Sequence, residues 1–151
     1  ERLRKVRPDL SLASDLIVGF PGETDADFDA TLRLAENMNF DSSFSFMYSA
    51  RPGTPASELP NHIPLRTKQI RLKKLQSVLK QQTHKTSSTM LNSEQSVLVE
   101  GPSRKSPHQL TGRTDNNRVV NFDGSLDLKN TVVKVLITEI LPNSLRATLA
   151  K

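Results

Sequence analysis

The sequence predicts an α/β segment followed by a small all-β barrel. A strand–helix–strand pattern occupies the first half, and five short strand patterns separated by turn residues occupy the last third. Between them lies a long stretch without Pro or Gly. A chain of 151 residues has room for one ordinary domain or two small ones.

The first predicted strand lies in the apolar stretch from Leu10 to Val18. It ends in Leu16-Ile17-Val18 and is followed at once by Gly19-Phe20-Pro21-Gly22. A short apolar run bounded by Gly and Pro is typical of a strand buried on both faces, as in a parallel sheet.

A helix is predicted over 25–38, because Thr24 and Asp27 have capping-box spacing and apolar residues follow at helical intervals. Phe44–Tyr48 predicts a second strand, which completes one βαβ unit. Asp25, Asp27 and Asp29 suggest helix capping rather than a metal cluster, since all three stand at the helix start.

Prolines make residues 51–64 an irregular loop, and a long amphipathic helix is predicted over 65–91. This helix has an apolar stripe and many cations, with no acidic residue. Contact with a partner and a merely solvated face both remain open. Its cations are Arg66, Lys68, Arg71, Lys73, Lys74, Lys80 and Lys85.

The remaining strands suggest a closed barrel of SH3-like or OB-like kind. They are predicted at Ser96–Glu100, Gln109–Arg113, Arg118–Asn121, Thr131–Ile140 and Ser144–Leu149. We therefore expect two domains, residues 1–91 and 92–151.

Charge is unevenly distributed along the chain. Residues 1–63 hold 6 basic and 10 acidic residues, whereas residues 64–151 hold 15 and 6. The basic second half indicates either a polyanionic partner such as nucleic acid or simple solubility. No apolar run is long enough to span a bilayer, so we expect a soluble, cytoplasmic protein. The absence of Cys excludes disulfides, thiolate metal sites and cysteine nucleophiles.

Two places have residues suited to binding. The Gly19–Glu23 turn follows a predicted parallel strand, where α/β folds bind ligands, but spacing alone favours a tight turn as the reason for the glycines. In the barrel, cations alternate with small polar residues and Phe122 is the only aromatic, which leaves RNA backbone binding and a structural barrel as alternatives. The candidate RNA-binding residues are Arg104, Lys105, Arg113, Asn117, Arg118, Asn143 and Arg146.

Several motifs together resemble the C-terminal part of the bacterial radical-SAM tRNA methylthiotransferases. They are Asp15-Leu-Ile-Val-Gly-Phe-Pro-Gly-Glu23, Phe44-Ser-Phe-Met-Tyr-Ser-Ala-Arg-Pro-Gly-Thr-Pro-Ala56, Val99-Glu-Gly-Pro-Ser-Arg-Lys-Ser106, Gly112-Arg-Thr-Asp-Asn-Asn-Arg-Val-Val-Asn121 and Pro142-Asn-Ser-Leu-Arg146. The resemblance covers essentially the whole chain.

This resemblance implies the last βα units of a partial radical-SAM (β/α) barrel, followed by a TRAM domain that binds RNA. It also implies radical S-adenosylmethionine chemistry that adds a 2-methylthio group to N6-isopentenyladenosine at position 37, next to the anticodon. Such an enzyme holds S-adenosylmethionine and two 4Fe-4S clusters. Because this chain has no Cys, the cluster ligands must belong to missing N-terminal domains, and the chain alone is expected to be inactive.

The same resemblance implies a set of cofactor-binding residues at two strand ends: Ile17, Val18, Gly19, Glu23, Tyr48 and Arg51. Asp15 and Glu23 depart from the superfamily pattern, which favours the backbone of Val18 and Gly19 over the Glu23 carboxylate. The partner is expected to be a tRNA anticodon stem-loop. The alternatives are a stand-alone RNA-binding module, a structural adaptor or a ribosomal-protein methylthiotransferase.

Overall fold

We describe the protein from a computed structural model, which covers residues 2–7, 10–104 and 106–150. The chain forms two compact units that divide between Thr83 and His84. The expected domain boundary, 91/92, falls later in the sequence. Within the described residues, no helix has the length and apolarity needed to cross a membrane.

The first unit is a single βαβ arrangement with additional helices. Its elements are α1 Arg2–Val6, β1 Asp15–Val18, α2 Asp25–Met38, β2 Phe44–Met47, a 3-10 turn Pro55–Glu58 and most of α3 Leu65–Ser88. Strands β1 and β2 pair in parallel, with Ile17 opposite Phe46 and Val18 opposite Met47. The predicted order of strand, helix and strand is therefore present.

Helix α2 has the predicted bounds because its capping box forms. Thr24 is the N-cap, its hydroxyl accepts the Asp27 N–H, and the Asp27 carboxylate accepts the Thr24 N–H at 2.9 Å. Hydrogen bonds from the Thr24 hydroxyl and backbone lower the pKa of Asp27. Asn39, in the left-handed conformation, ends the helix.

One face of the β1–β2 sheet packs on the helices and the other face is uncovered. Val18 and Phe28 belong to the core of the first unit together with Leu75 of α3. On the opposite face, Ile17 is 55% exposed and Phe46 is 53% exposed. The apolar pattern of Leu16–Val18 is typical of burial on both faces, but in this chain two strands and the helices on one side leave the second face without a neighbour.

Helix α3 ends at Ser88 rather than at residue 91. The chain turns through Thr89–Leu91, and Asn92 has φ 59, in the left-handed region. The Asn92 N–H then donates to the Ile137 carbonyl at 2.9 Å. This turn places Met90 in the core of the second unit. The helix ends before Met90 because the chain must turn to reach that core.

The second unit is the predicted closed barrel, with strand order β3-β4-β5-β7-β6. Its strands are β3 Glu94–Ser103, β4 Ser106–Thr114, β5 Val119–Asp123, β6 Val132–Ile140 and β7 Leu145–Leu149, with a 3-10 turn at Leu126–Leu128. Strands β5 and β7 pair in parallel and the other neighbours are antiparallel. Phe122 is fully buried in the core, as expected for the only aromatic residue of the barrel.

Candidate functional site

The carboxyl ends of β1 and β2 meet at the Gly19–Glu23 turn. Gly19 has φ 72 and Gly22 has φ 85, conformations that favour glycine. The Glu23 N–H donates to the Phe20 carbonyl at 2.9 Å, which closes the turn. Helix α2 begins immediately afterwards, so this turn connects a parallel strand to a helix N-terminus.

Lys68 of α3 covers Gly19. A Cβ atom on Gly19 would collide with Cγ and Cδ of Lys68, so the glycine leaves room for the lysine stem. The Lys68 ammonium donates to the Tyr48 carbonyl at 3.0 Å and so joins the ends of the two strands. The glycine is therefore explained by internal packing, which agrees with the tight-turn alternative from the sequence.

Glu23 is held in place by Arg71, a buried cation of α3. One guanidinium nitrogen lies 2.6 Å from the Glu23 carboxylate, and the other lies 2.7 Å from the Asp25 carboxylate. The side chains of Arg71 and Glu23 are 7% and 9% exposed, whereas that of Asp25 is 94% exposed. The same Glu23 oxygen accepts the Gly19 N–H at 2.7 Å. Glu23 therefore fixes the turn.

These carboxylates stabilise the charged form of Arg71. Burial alone lowers the pKa of Arg71, but its hydrogen bonds to Asp25 and Glu23 outweigh that cost and raise the pKa. The guanidinium also stacks 5.5 Å from the centre of the Phe28 ring. Arg71 therefore acts inside the unit, and the expectation that it contributes to an outward basic face is wrong.

Tyr48 follows β2 at the same strand end. Its N–H donates to the Val18 carbonyl at 2.8 Å, and its ring packs edge-on against Phe20 at 5.1 Å. The Tyr48 hydroxyl is buried and has no hydrogen-bond partner among the described residues. A buried hydroxyl without a partner is costly, so this atom is suited to bond a group that the chain itself does not provide.

The structure brings four of the six predicted cofactor residues together and separates the other two. Val18, Gly19, Glu23 and Tyr48 are joined by the contacts above. Ile17 points to the uncovered sheet face, and Arg51 is exposed in the loop after β2, where its carbonyl accepts the Thr54 hydroxyl at 2.8 Å. The role of these residues in cofactor binding stays a prediction.

The sequence reading missed that Lys68 and Arg71 belong to this site, although a signal was present. Arg71 precedes Leu75 and Val78 by four and seven residues, and Lys68 precedes Leu72 and Leu75 in the same way. At those spacings the two cations lie on the apolar side of the helix rather than on its solvent side.

No cation site is formed by the residues that the structure describes: they contain no group of three or more His, Asp or Glu placed to hold a metal. Asp27 acts as a capping residue and Asp25 pairs with Arg71. Capping is therefore confirmed for Asp27.

In the second unit, two turns lie at the same end of the barrel. The first turn joins β4 to β5 and contains Asn117, and the second joins β6 to β7 and contains Asn143. Because β5 and β7 are parallel, with Val120 opposite Leu145, both strands begin at this end. Asn117, Arg118 and Asn143 are therefore located together.

Arg113 and Arg146 lie on the outer barrel surface near these turns. Arg146 stands between the buried residues Leu145 and Ala147, so its side chain points outward. Arg113 is opposite Val119 on β5, and Arg146 is opposite Asn121, two residues further along the same strand. The two arginines thus flank one outward face of β5.

Arg113, Arg146 and Arg118 each have a partner within the second unit. Arg113 Nε lies 3.0 Å from the Glu100 carboxylate, and Arg146 lies 2.9 Å from Glu139. Arg113 also donates to the Asn117 side chain at 3.0 Å. Arg118 Nε donates to the Ser87 hydroxyl at 2.8 Å. These contacts orient the guanidinium groups.

Arg104 is separated from this group. It lies in the turn between β3 and β4, at the opposite end of the antiparallel hairpin from Asn117. Lys105, the neighbouring predicted residue, lies outside the described residues. The turn of Arg104 and that of Asn117 are at opposite ends of β4, so the predicted RNA-binding residues do not all lie at one end of the barrel.

Similar proteins are known both for the second unit and for nearly the whole chain. Residues 88–150 match the TRAM domain family. The chain is 57% identical over 145 residues to the tRNA-2-methylthio-N(6)-dimethylallyladenosine synthase of Pseudoalteromonas atlantica, which covers 96% of this chain and 30% of that protein. It is also 56% identical over 149 residues to the enzyme of the same name from Idiomarina loihiensis. That alignment covers 99% of this chain and 31% of the Idiomarina protein.

A third relative of the same name, from Methylococcus capsulatus, is 56% identical over 98% of this chain and 32% of its own length. The chain thus spans about 30% of the length of the curated relatives it matches. Residues 88–150 are thus similar to TRAM domains, and nearly the whole chain is similar to part of the tRNA-2-methylthio-N(6)-dimethylallyladenosine synthases.

Proposed function

We propose that this chain is the C-terminal part of a tRNA methylthiotransferase that adds a 2-methylthio group to N6-isopentenyladenosine at position 37. The proposal rests on the sequence identity, 53% or more over nearly the whole chain, to proteins named tRNA-2-methylthio-N(6)-dimethylallyladenosine synthase. Within that enzyme, residues 1–91 supply part of the cofactor-binding barrel and residues 92–151 bind tRNA. The enzyme acts in the cytoplasm.

The uncovered sheet face supports an incomplete (β/α) barrel. In such a barrel the helices cover the outside of the parallel sheet and apolar side chains fill the inside. Here helices cover one face of β1–β2, while Ile17, Phe44 and Phe46 remain exposed on the other. The remaining domains of the enzyme would cover this face.

The strand-end residues fit one part of S-adenosylmethionine binding. The Tyr48 hydroxyl is buried without a partner and lies at a carboxyl strand end, where barrels of this kind bind ligands. S-adenosylmethionine would supply the methyl group and the radical chemistry of the reaction. Ile17 offers an apolar surface on the uncovered sheet face, and Arg71 and Glu23 keep the Gly19 turn in one conformation.

The two 4Fe-4S clusters do not fit the residues of this chain. Cluster iron is held by Cys thiolates, and the sequence contains no Cys. The ligands would come from the N-terminal domains of the parent enzyme. We therefore propose that this chain alone has no methylthiolation activity, and we assign no step of the reaction to its residues.

The barrel would hold an anticodon stem-loop chiefly through phosphates. Arg113 and Arg146 flank one outward face, and the amide side chains of Asn117 and Asn143 lie at the adjoining end. Exchanging an exposed carboxylate partner for a phosphate costs little, because surface ion pairs contribute only about 0–1 kcal/mol. The buried position of Phe122 leaves stacking on bases to other residues.

A chimeric enzyme tests this function. The chain would replace the matching region of the Pseudoalteromonas atlantica synthase, and nucleoside mass spectrometry would measure 2-methylthio-N6-isopentenyladenosine in tRNA. We expect the modified nucleoside at a level comparable with that of the parent. A folded chimera that leaves tRNA unmodified would support a stand-alone RNA-binding module or a structural adaptor. A chimera that modifies a ribosomal protein instead would support the ribosomal-protein methylthiotransferase.

A further inference from the structure

The solvent side of α3 is strongly basic. The helix contains seven Lys and Arg residues and no Asp or Glu. Lys68 and Arg71 are used inside the first unit, and the other five are exposed. We refer to these five as the basic face; it consists of Arg66, Lys73, Lys74, Lys80 and Lys85.

Three members of the basic face are regularly spaced. Arg66, Lys73 and Lys80 recur every seven residues, which is close to two helical turns. At about 1.5 Å per residue they are roughly 10 Å apart and extend over about 21 Å of helix. The three charges therefore form a row along one side of α3.

The cations of the basic face have no acidic partner. Among the described residues, none of the five forms an ion pair, whereas Arg113 and Arg146 of the barrel are each paired with a carboxylate. A surface that serves only solubility usually mixes both signs of charge. A 24-residue helix without one carboxylate leaves its positive charge available to an external anion.

We propose that the basic face of α3 binds the phosphate backbone of RNA, as a contact additional to that of the TRAM barrel. This inference rests on the proposed function in tRNA modification. Duplex nucleic acid carries one phosphate per strand about every 3.4 Å of axis, so a row of about 21 Å faces several phosphates. The contact is independent of base sequence.

The composition of the helix favours RNA over an acidic protein. Protein interfaces obtain most of their binding energy from a few buried anchors, among which Trp and Tyr are prominent. Helix α3 contains no aromatic residue, and the polar side chains of Ser77 and Gln81 lie between the cations of its exposed side. Apart from the half-exposed Ile70, such a surface offers charge and hydrogen bonds but few anchors.

The test compares two triple variants of this chain with the same change in net charge. The first is Arg66→Gln, Lys73→Gln and Lys80→Gln; the control, Arg33→Gln, Lys129→Gln and Lys134→Gln, removes three exposed cations elsewhere. Affinity for an anticodon stem-loop is measured across a salt series, with circular dichroism melts to verify folding. We expect the first variant to bind on the order of tenfold more weakly and its salt slope to fall by about two to three.

The control variant should lose much less affinity and keep its salt slope. Equal losses in the two variants, or unchanged binding by the folded first variant, would overturn the proposal while leaving the chimeric-enzyme result intact. Absence of RNA binding by the unmodified chain would contradict both this inference and the proposed tRNA contact. Poly-glutamate serves as the acidic-protein probe. If the first variant loses poly-glutamate binding but retains RNA binding, the basic face binds a protein and the proposal is overturned.

Discussion

Arg71 shows how one side chain can be assigned the wrong role from composition. It is one of seven cations in a helix without acids, yet it is buried between Glu23 and Phe28. Its partners, Glu23 and Asp25, are distant in the sequence and belong to a turn and a helix start. Helical spacing could have shown that Arg71 faces inward, but only the fold shows which carboxylates it meets.

Replacing Arg71 by Met should destabilise the first unit by about 3 kcal/mol, because removal of one partner leaves a buried carboxylate without compensation. Adding Glu23→Gln should recover part of the loss, since the amide is uncharged and its oxygen still accepts the Gly19 N–H. Urea unfolding of the first unit measures both effects. The matched control is Arg66→Met, which removes an exposed cation of the same helix and should change stability by less than about 0.5 kcal/mol. Equal effects of Arg71→Met and Arg66→Met would contradict the role of the buried pair.

At the scale of elements, local signals predicted helices and strands well, whereas their surroundings were not predictable. The capping box at Thr24 and Asp27 gave α2 its bounds, and turn residues separated the five barrel strands. The apolar Leu16–Val18 run could not reveal that one face lacks a neighbour, because an apolar pattern records what a side chain prefers and not what covers it. Helix α3 ends where it does because Met90 packs into the core of the barrel, and this contact cannot be read from the local sequence.

The barrel strands make a prediction about RNA contact at the same scale. Arg113→Ala and Arg146→Ala should each weaken anticodon stem-loop binding and lower the salt slope by about one, because both side chains flank the outward face of β5. Arg104→Ala, at the other end of the hairpin, is the control and should have a smaller effect. Binding is measured for each variant across a salt series.

Phe122→Ala separates folding from binding in that experiment. The ring is fully buried, so its removal should cost about 3–5 kcal/mol of stability and lower the melting temperature of the barrel. A folded Phe122→Ala variant that has lost RNA binding would indicate that the ring stacks on a base. Unchanged affinity and salt slope for both Arg113→Ala and Arg146→Ala would show that RNA is held elsewhere.

At the scale of the whole molecule, the two units differ in how completely they satisfy their own strands. The barrel closes on itself, so every strand has two hydrogen-bonded neighbours around a core that includes Phe122 and Ile137. In the described part of the first unit, the sheet has two strands and each strand has a single neighbour. The sequence predicted this division in outline, since the barrel pattern was complete and the α/β pattern contained one βαβ unit.

Limited proteolysis should therefore cleave residues 1–60 before residues 95–151. Proteolysis requires local opening, and opening is easier where strand edges are unpaired and few apolar side chains are buried. The open edges of β1 and β2 and the exposed side chains of Ile17 and Phe46 place the first unit in that class, whereas the closed barrel has no free edge. Mass spectrometry of timed digests identifies the cleavage sites and the surviving segment. Equal protection of both segments would mean that the two-stranded sheet, covered on one face, resists opening as well as the closed barrel does. That result would contradict the proposal that the first unit is part of an incomplete barrel.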